Sequence, residues 1–72
     1  MDAKMIGERL IALRGRKTQV EVCAATGIKP AALCNYEKGL RIPNDEAKML
    51  LSNYYNVSID SLFFLPETKQ NV

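Results

Sequence analysis

The chain contains no histidine, which removes the most versatile acid–base group and the commonest metal ligand from any account of its function. Its two cysteines, Cys23 and Cys34, are too few for a structural zinc site. Both fall inside apolar helical patterns, so they read as small buried residues and no disulfide is expected. There is no glycine-rich phosphate loop and no pair of helically spaced carboxylates beside a plausible pocket. Asp45 and Glu46 are adjacent, and a place at a helix start accounts for them. The residues therefore point away from an enzyme, a metal and a cofactor. No apolar run approaches the ~20 residues of a membrane span. Met1-Asp2-Ala3-Lys4 leads straight into an amphipathic segment, so a cytoplasmic protein without a signal stretch is expected. No segment alternates with period two, and the class expected is all-α.

What is present is a single small domain. Its 72 residues are 47% hydrophobic and 25% charged, a globular balance. At this size only about 60% of the unfolded surface is buried, which leaves little room for a deep cleft. The net charge of +2 conceals a division. From Arg9 to Arg41 seven bases face two acids, a net +5, whereas the remainder carries three bases and six acids, a net −3. One part of the chain is suited to an anionic partner and the other is not.

The helical period recurs five times, with helices expected at about 4–14, 18–26, 30–38, 44–55 and 58–64. In the first, Ile6, Leu10 and Leu13 share a face, and Gly15 ends it. Thr18 and Glu21 form a capping-box pattern that opens the second, whose inward residues are Val22 and Cys23. Gly27 closes it, and small residues at Cys23 and Ala24 allow the next helix to approach. Lys29-Pro30 starts the third, because proline suits a first helical position. Leu33 and Tyr36 point inward there, and Gly39 stops it. Leu40 to Pro43 forms an extended link, and Asn44 caps the fourth, whose apolar face holds Ala47, Leu50, Leu51 and Tyr54. Of Tyr54 and Tyr55, one core and one surface ring are expected. Ser58 caps a fifth helix with Ile59, Leu62 and Phe63. Residues 1–65 make up the domain, and 66–72 a polar tail.

Several residues stand in a recognisable order: Thr18-Gln19, Val22-Cys23, Gly27-Ile28, Leu33, Tyr36-Glu37-Lys38-Gly39, Pro43-Asn44, Val57-Ser58-Ile59-Asp60 and Leu62. The sequence thereby resembles the lambda-repressor-like, or XRE, helix-turn-helix family of phage repressor and Cro type, over about Ile6 to Phe64. The resemblance implies a five-helix domain whose third helix enters the major groove while the second crosses above it. It places Lys29, Pro30, Ala31, Ala32 and Asn35 among the base-reading candidates. Arg16, Lys17, Thr18, Gln19, Lys38 and Arg41 become candidates for phosphate contacts. Asn35 is the first choice for a reader, since asparagine can bond adenine N6 and N7 together. Family members pair an arginine ending the first helix with the glutamate of the third, here Arg14 with Glu37. The link between Arg14 and Gln19 is shorter than usual, which leaves that pair open.

Phe64 and Leu65 form an apolar patch for which a homodimer contact is the expected use. The function expected is a sequence-specific transcriptional regulator, a repressor in the first instance, that binds double-stranded DNA as a homodimer. The alternative is a protein-interaction module on the same fold, antitoxin-like or antirepressor. Its motive is the apolar start Pro30-Ala31-Ala32, where relatives often carry polar readers.

Overall fold

Side chains that accept free backbone amides start most of the helices. Asp2 Oδ1 accepts the N–H groups of Lys4 at 2.9 Å and Met5 at 3.3 Å. Thr18 Oγ1 accepts Glu21 N–H at 3.1 Å while Glu21 Oε1 accepts Thr18 N–H at 2.8 Å, a reciprocal box. Asn44 Oδ1 accepts Ala47 N–H at 2.8 Å, and Ser58 Oγ accepts Ser61 N–H at 3.0 Å. The computed structural model describes residues 2–63. It contains α1 (Ala3–Arg14), α2 (Gln19–Thr26), α3 (Pro30–Glu37), α4 (Asp45–Tyr55) and α5 (Ile59–Phe63), with no strand among the described residues. The fold is all-α.

One core joins all five helices. Ile6 and Leu10 of α1, Val22 and Cys23 of α2, Leu33 and Tyr36 of α3, Ala47 and Leu51 of α4, and Leu62 and Phe63 of α5 are buried together, with Ile28 from the turn. Each fully buried aliphatic side chain stabilises the fold by roughly 1.5–3 kcal/mol relative to exposure. Helix α1 packs on α3 and α5, α2 packs on α3 and α4, and α4 packs on α5.

The inward face of α1 differs from the expected one. Its buried residues are Ile6, Gly7 and Leu10, and the same stripe continues to Arg14. Leu13 falls at the margin and is 37% exposed. Ile59 is exposed to the same degree, because α5 turns only Leu62 and Phe63 inward. Tyr54 and Tyr55 do not divide into a core and a surface ring. Both are half-buried against the core, with ring centroids 5.0 Å apart in an edge-on arrangement. Cys23 is buried and Cys34 only half-buried, and both are free thiols.

Candidate nucleic-acid interface

The bend between α2 and α3 is built from local bonds. Thr26 Oγ1 donates to Val22 O at 2.8 Å and accepts Ile28 N–H at 3.2 Å. Gly27 takes φ +81°, a left-handed conformation that glycine adopts without a Cβ penalty, and its N–H bonds Cys23 O at 2.8 Å. Ile28 then drops into the core between the helices. Ala24 is exposed and takes no part in this approach.

On α3 the buried residues are Leu33, Tyr36 and Glu37. Ala31, Asn35 and Lys38, spaced i, i+4 and i+7, therefore fall on the opposite side of the helix. Ala31 and Lys38 are exposed, as are Lys29 and Pro30 at the helix start. Asn35 is half-buried, because its carbonyl accepts Leu40 N–H at 3.0 Å and Arg41 N–H at 3.4 Å, folding the link back over that turn. Ala32 packs against the core and lines a cleft of about 280 Å³ between α3 and α4, with Glu46 and Asn44 across from it. It flanks the outer side rather than lying in it.

Behind this face sits a buried carboxylate. Glu37 is 5% exposed and accepts Arg14 Nε at 2.9 Å and Arg14 Nη2 at 3.1 Å, a two-pronged ion pair. Gln19 Nε2 donates to the other side of the same group, Glu37 Oε1, at 2.7 Å. The guanidinium also donates from Nη1 to Lys17 O at 2.8 Å, and Lys17 N–H bonds Arg14 O at 3.0 Å. One carboxylate thus ties the end of α1, the link, the start of α2 and the end of α3. The short link is accommodated by Gly15, whose φ of +57° turns the chain at once. The Glu37 bond raises the Arg14 guanidinium above its ordinary pKa against the opposing effect of desolvation. Gln19, expected at a phosphate, spends one amide donor here. Thr18 is exposed, with its hydroxyl oxygen occupied in the cap.

Two neighbours respond to this buried charge. Burial, and then the charge of Glu37, pushes the Tyr55 hydroxyl up to about 12, and that hydroxyl has no hydrogen-bond partner among the described residues. Burial, with Glu37 second, also raises the Cys23 thiol. A raised thiol is a poorer nucleophile at neutral pH. The Arg14–Glu37 pair that the resemblance left open is formed. Sequence reasoning missed that Gln19, Tyr55 and Cys23 join it, because these residues lie far apart along the chain.

The cations divide into two groups. Arg9, Arg14 and Lys48 are half-buried and engaged within the protein. Arg9 Nη1 donates to the α5 carbonyls of Ser61 at 3.2 Å and Leu62 at 3.3 Å, and Lys48 lies 4.0 Å from Asp45 and 5.6 Å above the Phe63 ring. Lys4, Arg16, Lys17, Lys29, Lys38 and Arg41 are exposed, with no side-chain ion pair or hydrogen bond among the described residues. Two arginines counted in the basic segment are therefore structural, and Lys4, counted outside it, belongs with the exposed set. Phe64 and Leu65, the expected dimer contact, lie outside the described residues. Among those residues no group of side chains is arranged to hold a metal ion, and no helix is long and apolar enough to cross a membrane.

A family model described as helix-turn-helix matches residues 9–62, most of the chain. Neither the curated proteins nor the solved structures give a match. The matched segment runs from Arg9 to Leu62, and so takes in the bend at Gly27, the outer side of α3 and the Glu37 cluster that braces them. The chain belongs to the lambda-repressor-like (XRE) family of DNA-binding helix-turn-helix domains.

Proposed function

We propose that the protein is a sequence-specific transcriptional repressor that binds DNA as a homodimer, with α3 in the major groove. The observation that carries this reading is the outer side of α3, where Ala31, Asn35 and Lys38 stand in line above a helix fixed from behind by Glu37. Asn35 reads adenine through its amide, and the Ala31 methyl packs on a thymine methyl. Lys29 reaches a guanine edge from the helix start, beside Pro30, and Ala32 borders the contact. Arg16, Lys17, Lys38 and Arg41 bind phosphates on either side of the groove. Thr18 and Gln19 approach a phosphate at the start of α2, where the second amide N–H of Gln19 and the free first-turn backbone amides favour an anion.

A single copy spans too few base pairs for specificity, so two copies meet a near-palindromic site with half-sites about 34 Å apart. Phe64 and Leu65 supply part of the contact between them. Repression follows from occupancy of the site. The second reading, a protein-interaction module, is favoured by the apolar start of α3 and by the exposed apolar side chains of Val20 on α2 and Leu40 after α3.

Selection from a random duplex pool separates the two. The repressor reading predicts enrichment of a two-fold-related sequence with half-sites one helical turn apart. Affinity no better than ~10⁻⁴–10⁻⁶ M for every sequence, the non-specific range, contradicts it and favours a protein partner.

A further inference from the structure

We propose that Lys4, in the first turn of α1, is an additional DNA phosphate contact that extends the footprint beyond the helix-turn-helix itself, an inference that rests on the DNA-binding reading above. In the sequence Lys4 lies thirty-four residues before Lys38 and within the acidic part of the chain. In the fold it lies beside the basic link. A Cβ placed on Gly39 would stand 3.0 Å from the Lys4 Cα and 3.4 Å from its backbone nitrogen. Gly39 takes φ +77°, so both its conformation and the space around it call for glycine. The backbone of α1 therefore rests directly on the link, between Lys38 and Arg41.

Lys38 and Arg41 are held in place from the other side, because Leu40 N–H and Arg41 N–H both bond the Asn35 carbonyl. Three exposed cations are thus set on adjoining pieces of backbone at the C-terminal end of the reading helix. None of them has an ion-pair partner among the described residues. The acids nearest in the chain do not take up this charge. The Asp2 carboxylate is occupied as the cap of α1, accepting the amides of Lys4 and Met5, and Glu8 forms no ion pair with Lys4.

Helix stability does not explain the lysine either. The N-terminal turn of a helix carries partial positive charge, where a cation is disfavoured and an anion favoured. A lysine there, capped by an aspartate and packed over glycine, suits a partner outside the protein. A polyanion already seated against Lys38 and Arg41 is that partner, and the phosphate next along its backbone is the group Lys4 meets.

The test is the salt dependence of duplex binding by the full chain and its K4Q, K4R and K48Q variants. Each phosphate contact adds roughly 0.9 to the log–log slope. K4Q is expected to lower the slope by about 0.9, so that affinity lost between about 50 and about 200 mM salt shrinks roughly 3.5-fold. K4R keeps the wild-type slope, and so does K48Q, since Lys48 is engaged with Asp45 and Phe63. A steep wild-type slope that K4Q leaves unchanged overturns the role of Lys4 alone. A wild-type protein with no salt-dependent DNA binding overturns the DNA reading, and this inference with it.

Discussion

Gly7 lies directly beneath the last turn of α3, where a Cβ would come within 2.5 Å of the Glu37 carbonyl oxygen and 2.8 Å of that of Tyr36. The missing side chain lets α1 seat on the end of α3. It also brings Arg14, two turns later on the same stripe, to the Glu37 carboxylate. The orientation of α3 thus depends on a backbone-to-backbone contact and a buried ion pair at the same end.

Gly7→Ala and Gly27→Ala are expected to destabilise for different reasons. At Gly7 the obstruction is backbone, which cannot rotate away, so overpacking costs about 1–3 kcal/mol or more and displaces α1. At Gly27 a Cβ meets nothing within 4 Å, and the cost, roughly 1–2 kcal/mol, comes from the left-handed conformation alone. Urea unfolding measures both. DNA affinity per folded molecule falls for Gly7→Ala and is retained for Gly27→Ala.

Glu37→Ala removes the shared acceptor and strands a half-buried guanidinium. A loss of roughly 3 kcal/mol is expected, the low end for breaking a buried pair from one side, because the guanidinium is partly exposed and keeps Lys17 O as an acceptor. Gln19→Ala leaves the two-pronged Arg14 bond intact and costs roughly 1.5–3 kcal/mol or less. Equal unfolding midpoints for the two variants would contradict a carboxylate-centred cluster.

Tyr55 predicts an alkaline effect with a definite sign. The folded protein holds the phenolic proton more tightly than the unfolded chain, whose hydroxyl titrates near 10.0, while the folded value is about 12. The associated stability is fully present below pH 10.0 and is lost as pH rises toward about 12. Tyr55→Phe removes a buried hydroxyl that lacks a partner among the described residues. Its stability at neutral pH is therefore unchanged or higher, by up to about 1–3 kcal/mol. Chemical unfolding from pH 8 to 12 is expected to show a shallower alkaline decline for the variant.

The division of the cations gives a fourth expectation. Lys38→Gln and Arg41→Gln lower affinity for all duplexes alike, each removing about 0.9 from the salt slope. Arg9→Gln leaves the slope unchanged and lowers stability, because its guanidinium serves the α5 carbonyls. Binding isotherms at several salt concentrations, paired with thermal melts, distinguish the two classes.

The parts of this architecture that were legible in the sequence are local. The Thr18–Glu21 box, the glycine after α2, Pro30 opening α3 and Asn44 capping α4 each declare themselves within four residues, because capping and turn chemistry act over that range. The outer side of α3 follows from the same periodicity. What the sequence hides is distance between remote residues. Nothing in a one-dimensional pattern places Lys4 beside Gly39 or gives a Gln19 amide to Glu37. Leu13 was misplaced for a related reason: the helical period gives the width of an inward stripe, but the close approach at Gly7 decides where its centre falls.

The most direct test of the central claim, that the outer side of α3 contacts bases, is duplex-pool selection with Asn35→Ala alongside the wild-type protein. The bonds from the link go to the Asn35 backbone carbonyl, and its side-chain amide makes no hydrogen bond among the described residues, so the change spares the fold. The account predicts that preference relaxes at one position in each half-site, at a cost of roughly 1–3 kcal/mol there, while flanking positions and salt slope hold. An enriched sequence identical to that of the wild type would contradict it.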